Sequence, residues 1–277
     1  MDHGPAPVSV AVPRASSSGW RLTLFRVLAG LLGLVYLPGV VLMAAPWAPP
    51  SIARALPTLS PLIWAWANFA HPEIGRWTFA LSACVDGAIA MILLVVAWRP
   101  LARPLLVQFL ALALVVDLAA NVLFVPGIAV GYSPLLVLLF AYPEPRRLVT
   151  PFWRGGINWP LFVLAVGAGT LFGPLVWSAL QAQIQGAGEL ASNYGWVSIV
   201  EHLCNLWLIT LLSPFRQPGS GLLAALAGGC LVYLGVAAIS VPVNPGSWGL
   251  AGGAVAILAG VVCLVLNVRS QLGGAAG

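Results

Sequence analysis

The chain has 277 residues, 60% of them hydrophobic and only 7% charged, with a mean hydropathy of +0.98. A soluble domain carries about 25% charged residues, so this composition excludes an ordinary water-soluble globule and points to a membrane protein. The net charge of +5 comes from arginines spread singly between apolar runs, a distribution that suits membrane orientation and argues against a nucleic-acid partner.

The first twenty residues, "MDHGPAPVSVAVPRASSSGW", are polar and rich in Pro and Ser. They lack the apolar core and small-residue cleavage site of a signal peptide, so 1–20 is expected to be a disordered cytoplasmic tail. Apolar runs of bilayer length then fall near 22–45, 77–98, 104–126, 130–143, 159–180, 195–214, 220–242 and 248–268. The fourth is short and spans only if "GIAVGY" belongs to it; without it the count is seven. With eight spans and the N-terminus inside, Arg54 and Arg76 are the only arginines on the outer side, a strong positive-inside asymmetry. The expected fold is therefore an all-α integral protein of the plasma (inner) membrane, with about eight transmembrane helices and both termini cytoplasmic.

Two halves are expected, 21–148 and 149–277. "WRPLARPLL" after the second run resembles "FRQPGSGLL" after the sixth, and each is followed by an apolar run, a proline-bearing turn, another run and terminal arginine. Four helices per half would make the repeat parallel. The one long connection, 46–76, is rich in Pro and Trp and should lie along the outer interface, as a connector or as a lid over an outward cavity. Small residues at four-residue spacing mark packing faces: Ala165, Gly169 and Gly173; Gly221, Ala225 and Gly229; Gly252, Ala256 and Gly260.

Three helices carry polar stripes inside the membrane. Ser198, Glu201, His202 and Asn205 share one face of the sixth run; Thr78, Ser82 and Asp86 share one face of the second; Asp117 and Asn121 lie at i, i+4 in the third. From the helical rise, Asp86 should lie roughly 15 Å, Asp117 about 13 Å and His202 about 10 Å below the outer end. The inner halves carry little besides Gln108 and Thr210. A charge at the bilayer centre costs at least ~2.5–3.5 kcal/mol, so Asp86, Asp117, Glu201 and His202 are expected to share a cavity and to exchange protons. Asn121 and Asn205 taken singly read as interhelical glue, and the hydroxyls of Thr78, Ser82 and Ser198 as bonded to their own helices.

Several chemistries lose support. Cys84, Cys204, Cys230 and Cys263 lie in apolar runs without a C-x-x-C pair. One intramembrane histidine with scattered carboxylates makes a poor zinc site, and paired-histidine haem would need His71 to descend to His202; no metal or cofactor is expected. Nucleotide-binding and serine-hydrolase motifs are missing from the sequence. A triad of Ser198, His202 and an aspartate would draw two members from one helix.

The expected function is a pocket that binds or moves a small or lipid-like molecule, with protons as the coupling ion; its contacts are Asp86, Asp117, Asn121, Glu201, His202 and Asn205. One alternative is an enzyme acting on a lipid or isoprenoid, with Glu201 and His202 as acid and base and Asp86 or Asp117 stabilising charge. Another is a structural subunit meeting a homo-oligomeric or membrane-complex partner.

Overall fold

The computed structural model describes residues 19–47, 74–122, 124 and 131–275. The expected tail, most of the long connection, His71 and most of "GIAVGY" lie outside the described residues.

Helix α1 (Gly19–Tyr36) runs directly into a 3-10 segment, Leu37–Ala44. Pro38 lies in the first turn of that segment, where its missing N–H interrupts the α ladder. Helices α2 (Arg76–Trp98) and α3 (Pro104–Asn121) follow. Between them Arg99 and Arg103 adopt non-helical backbone before Pro100 and Pro104, as the residue preceding a proline must. Then come α4 (Ser133–Ala141), α5 (Trp159–Ile184), the short α6 (Gly188–Ser192), α7 (Gly195–Leu212), α8 (Ser220–Ser240) and α9 (Gly249–Ala275).

Among the described residues, seven helices are long and apolar enough to cross a membrane: α1 with its 3-10 extension, α2, α3, α5, α7, α8 and α9. Helix α4 has 9 residues, a length of about 14 Å against a hydrocarbon core of about 30 Å. On either side of α4 in the chain, Asn158 N donates to Pro214 O at the arginine-rich end, and Tyr132 is bonded by Asn121 at the arginine-poor end.

The two ends differ in charge. At the first, Gln108 Nε2 donates to the carbonyls of Arg147 and Thr150, Arg147 donates to Leu101 O, and Asn267 donates to Gly221 O. Ile157 and Phe215 form a β-bridge there, and Phe25 of α1 packs on Tyr142 with ring centroids 5.2 Å apart. At the second, Trp47 Nε1 donates to Ser240 Oγ, Tyr233 OH to Met43 O, and Trp77 N to Asn244 Oδ1. Chain direction places Arg21, Arg26, Arg99, Arg103, Arg146, Arg147, Arg154, Arg216 and Arg269 at the first end; Arg76 is the only described arginine at the second.

Helices α2 and α7 hold the centre, while α1, α5 and α9 turn large apolar residues such as Leu31, Trp177 and Leu258 outward, the mark of helices in a hydrocarbon solvent. Helix contacts among α1–α4 have counterparts among α5, α7, α8 and α9. Contacts α1–α2, α1–α4, α3–α4, α2–α3 and α3–α7 correspond to α5–α7, α5–α9, α8–α9, α7–α8 and α8–α2. Contacts α2–α7 and α3–α8 map onto themselves.

The small-residue faces are only partly those expected. A methyl on Gly169 would collide with Trp207, whose Nε1 donates to Ala165 O, but Gly173 and Gly229 meet nothing within 4 Å. The α8–α9 seam uses Gly228 against Gly260 and Gly235 against Gly253: a Cβ on Gly235 would lie 2.5 Å from the Gly253 carbonyl oxygen. The contact thus repeats every seven residues, one position away from the expected Gly229 and Gly252.

Candidate functional site

The polar stripes of α2, α3 and α7 meet near the arginine-poor end, as helices of alternating direction bring them to one level. They do so through two connected sets of bonds. In the first, Glu201 accepts from Tyr132 OH at Oε1 (2.9 Å) and from Asn121 Nδ2 at Oε2 (2.7 Å). Both oxygens accept, the arrangement a carboxylate makes. Asn121 Nδ2 also reaches Tyr132 Oη and the Asp117 carbonyl, so its two hydrogens serve three acceptors. Asn205 Nδ2 donates to Asp117 Oδ1 at 2.6 Å. The other side of that amide, Asn205 Oδ1, is buried with no partner, which costs ~1–3 kcal/mol and shows the residue is held for the sake of Asp117.

The second set centres on His202. Its Nδ1 lies 2.6 Å from the Ser198 carbonyl oxygen and 3.2 Å from Ser198 Oγ; its Nε2 lies 3.5 Å from Asp86 Oδ1. A carbonyl oxygen can only accept, so Nδ1 carries a hydrogen. Nε2 is then the ring nitrogen turned toward the Asp86 carboxyl. Ser198 Oγ pairs with Ser82 Oγ at 3.1 Å.

Asp86, Asp117, Glu201 and His202 line one cavity of about 200 Å³, closed by Tyr36 and Tyr132 and by Gly39 and Leu42 of the 3-10 segment. All four expected ionisable residues therefore come together. Asn121 and Asn205 stand behind the wall, positioning Glu201 and Asp117 and contributing no lining. Thr78 is apart from the site, buried with an unpartnered hydroxyl. Gln108 and Thr210 belong to the other end: Gln108 ties the α4–α5 connection, and Thr210 bonds its own helix at Leu206 O.

Sequence reasoning erred in four places, the first being Thr78, whose hydroxyl does not bond its own helix as expected. Ser82 and Ser198 bond each other across two helices, because α2 and α7 pack closely enough there to make the cross-helix bond. Asp117 is only one turn from the end of α3, about 6 Å, since the helix stops at Asn121 and not near Pro126. Tyr36 and Tyr132 were missed: they sit at a helix end and before α4, where no period marks them, and only their proximity to Pro38 and Ser133-Pro134 flags a chain turning near the polar level.

The hydrolytic triad fails on geometry. Ser198 Oγ faces Nδ1, the nitrogen that already carries hydrogen, so the ring has no lone pair to take the hydroxyl proton. Among the described residues no group of three or more His, Cys, Asp or Glu is placed to hold a metal ion, and the four cysteines are free thiols. No known protein family, curated protein or solved structure matches this chain.

Proposed function

We propose that the chain is an eight-span protein of the plasma (inner) membrane, arginine end in the cytoplasm, whose outward cavity binds a small cationic or amine solute and moves it in exchange with protons. The observation that carries this reading is the approach of His202 Nε2 to Asp86 Oδ1, 3.5 Å apart in the wall of a cavity that also presents Asp117 and Glu201. A positive ligand supplies the charge these acids otherwise lack, and its arrival displaces a proton from the pair.

Cavity size argues for a small solute over a whole lipid. About 200 Å³ is below the ~300–1,000 Å³ of typical ligand pockets, enough for an alkylammonium head and little more. Eight spans are supported by the bonds at opposite ends of the bundle on either side of α4, and the orientation by the arginine asymmetry. The paired helix contacts support two parallel four-helix halves, with α2 and α7 meeting on the axis between them. Such a repeat interface suits a translocation site, here opening toward the arginine-poor end.

The test uses purified protein in liposomes loaded with a pH-sensitive dye, challenged with methylammonium, ethylammonium, choline and guanidinium. Proton release from the lumen driven by at least one cation in wild type, and abolished in Glu201→Gln, is the expected result. Proton movement that no cation alters, or that Glu201→Gln leaves intact, would overturn the proposal.

A further inference from the structure

Away from the polar cavity, the seam between α5 and α9 holds two openings on one line. Near the arginine end lies a polar cavity of about 520 Å³, bounded by Asn158, Arg216, Ser220, Asn267 and Gln271. Farther along the same two helices lies an apolar groove of about 780 Å³, with Gly167, Leu171, Phe172, Trp248 and Val255 in its walls. On α5 the polar cavity ends at Leu161 and the groove begins at Val163. From Val163 to Leu175 the groove runs ~18 Å, close to half of a ~30 Å hydrocarbon core.

Charge at the polar opening is unbalanced. Arg216 is exposed, and no anionic partner for its guanidinium is found among the described residues. The only described acid at that end, Glu144, is already paired with Arg147. Val163, Leu171 and Val255 are exposed along the groove (68%, 54% and 48%), so a hydrocarbon chain and no water covers them in a bilayer. Basic pockets between membrane helices bind anionic headgroups.

We infer that the α5–α9 seam binds one anionic phospholipid of the leaflet at the arginine end, its phosphate against Arg216, Asn267 and Gln271 and one acyl chain in the apolar groove. The site is separate from the polar cavity and rests only on the chain being embedded in a membrane. It is distinct from a plain lipid-facing surface in having a polar recess and a groove that adjoin on α5; on α9 eight residues, about 12 Å, separate Ala259 of the groove from Asn267 of the recess, a distance one acyl chain spans.

Native mass spectrometry of the detergent-purified full chain, titrated with phosphatidylglycerol or phosphatidylcholine, reads the site directly. Wild type should retain a single phosphatidylglycerol at least tenfold more strongly than phosphatidylcholine. Arg216→Gln should erase that preference while leaving weak retention of both. Gly167→Trp, at a position with open space around it, should fill the groove and lower retention of both lipids, with Arg216 intact. Equal retention of the two lipids by wild type overturns the proposal, as does an unchanged preference in Arg216→Gln. Inorganic phosphate competing as well as the lipid would mean a free-anion site, and a lipid-free dimer sensitive to Gly167→Trp would mean that a second copy fills the groove; either result also overturns it.

Discussion

His202 Nε2 and Asp86 Oδ1 lie 3.5 Å apart, on two helices that cross at the middle of the bundle, and a backbone carbonyl fixes the hydrogen on the opposite ring nitrogen. Nε2 is therefore the ring nitrogen that faces the carboxyl. Asp86→Asn turns the carboxyl into a donor that satisfies a neutral ring, so the fold should survive while the exchangeable proton disappears. The expected outcome is a melting temperature within a few degrees of wild type and loss of cation-driven proton release across pH 5–9. Retained release with an unchanged pH profile would show that this pair is structural.

Asp117 and Asn205 form a buried pair in which one amide oxygen is left without a partner. Asn205→Ala should destabilise the protein by about 1–3 kcal/mol, because it removes the donor to a buried acid. Asp117→Asn should recover part of that loss in the double variant, since a neutral group tolerates the missing donor. Thermal unfolding in detergent of the four proteins in the cycle tests the coupling; strictly additive effects would dismiss it.

Tyr132→Phe removes one of the two donors to Glu201 and leaves the ring in place. A net cost of about 0.5–1.5 kcal/mol is expected in stability. If Glu201 contacts the solute, the larger effect should be on apparent affinity for the cation, measured by proton release against cation concentration. An unchanged affinity beside reduced stability would place Tyr132 in the scaffold alone.

The α8–α9 seam gives a register test. Gly228→Val must push into the Gly260 backbone, whereas Gly229→Val points into open space. Folded yield from the membrane should collapse for the first and stay near wild type for the second. Equal yields would mean that the helices meet on another face.

Orientation is tested by cysteines placed at exposed positions on opposite ends. A membrane-impermeant maleimide added outside should label Ser192→Cys and spare Val149→Cys, with the unsubstituted protein as control for the native thiols. The reverse pattern would turn the cavity toward the cytoplasm and remove the proposed direction of entry.

Much of this was legible in the sequence for one reason: in hydrocarbon, a charge without a partner is so costly that Asp86, Asp117, Glu201 and His202 had to converge, whatever the details of packing. The arginines were legible likewise, since each lies between apolar runs. What escaped was whatever depends on where one helix sits against another. The register of Gly228 and Gly260, the Ser82–Ser198 bond and the approach of Tyr36 and Tyr132 are set by crossing geometry, and a periodic pattern on a single helix does not encode it. Helix α4 was hard to delimit because a run of leucines reads as equally apolar whether it spans the bilayer or only part of it.

The glycine contacts between α8 and α9 also decide where the bundle can give. Backbones meet at Gly228, Gly235, Gly253 and Gly260, with Leu264, Ile257, Ile239 and Val232 packed directly onto them, so these two helices have little room to slide. Across the cavity, Gly39 and Leu42 belong to a 3-10 segment, whose hydrogen bonds are poorer than those of an α-helix. The end of α1 is therefore the weaker wall of the cavity, and the glycine-packed pair α8–α9 the stiffer part of the bundle. The weak wall and the stiff frame are built from different kinds of helix.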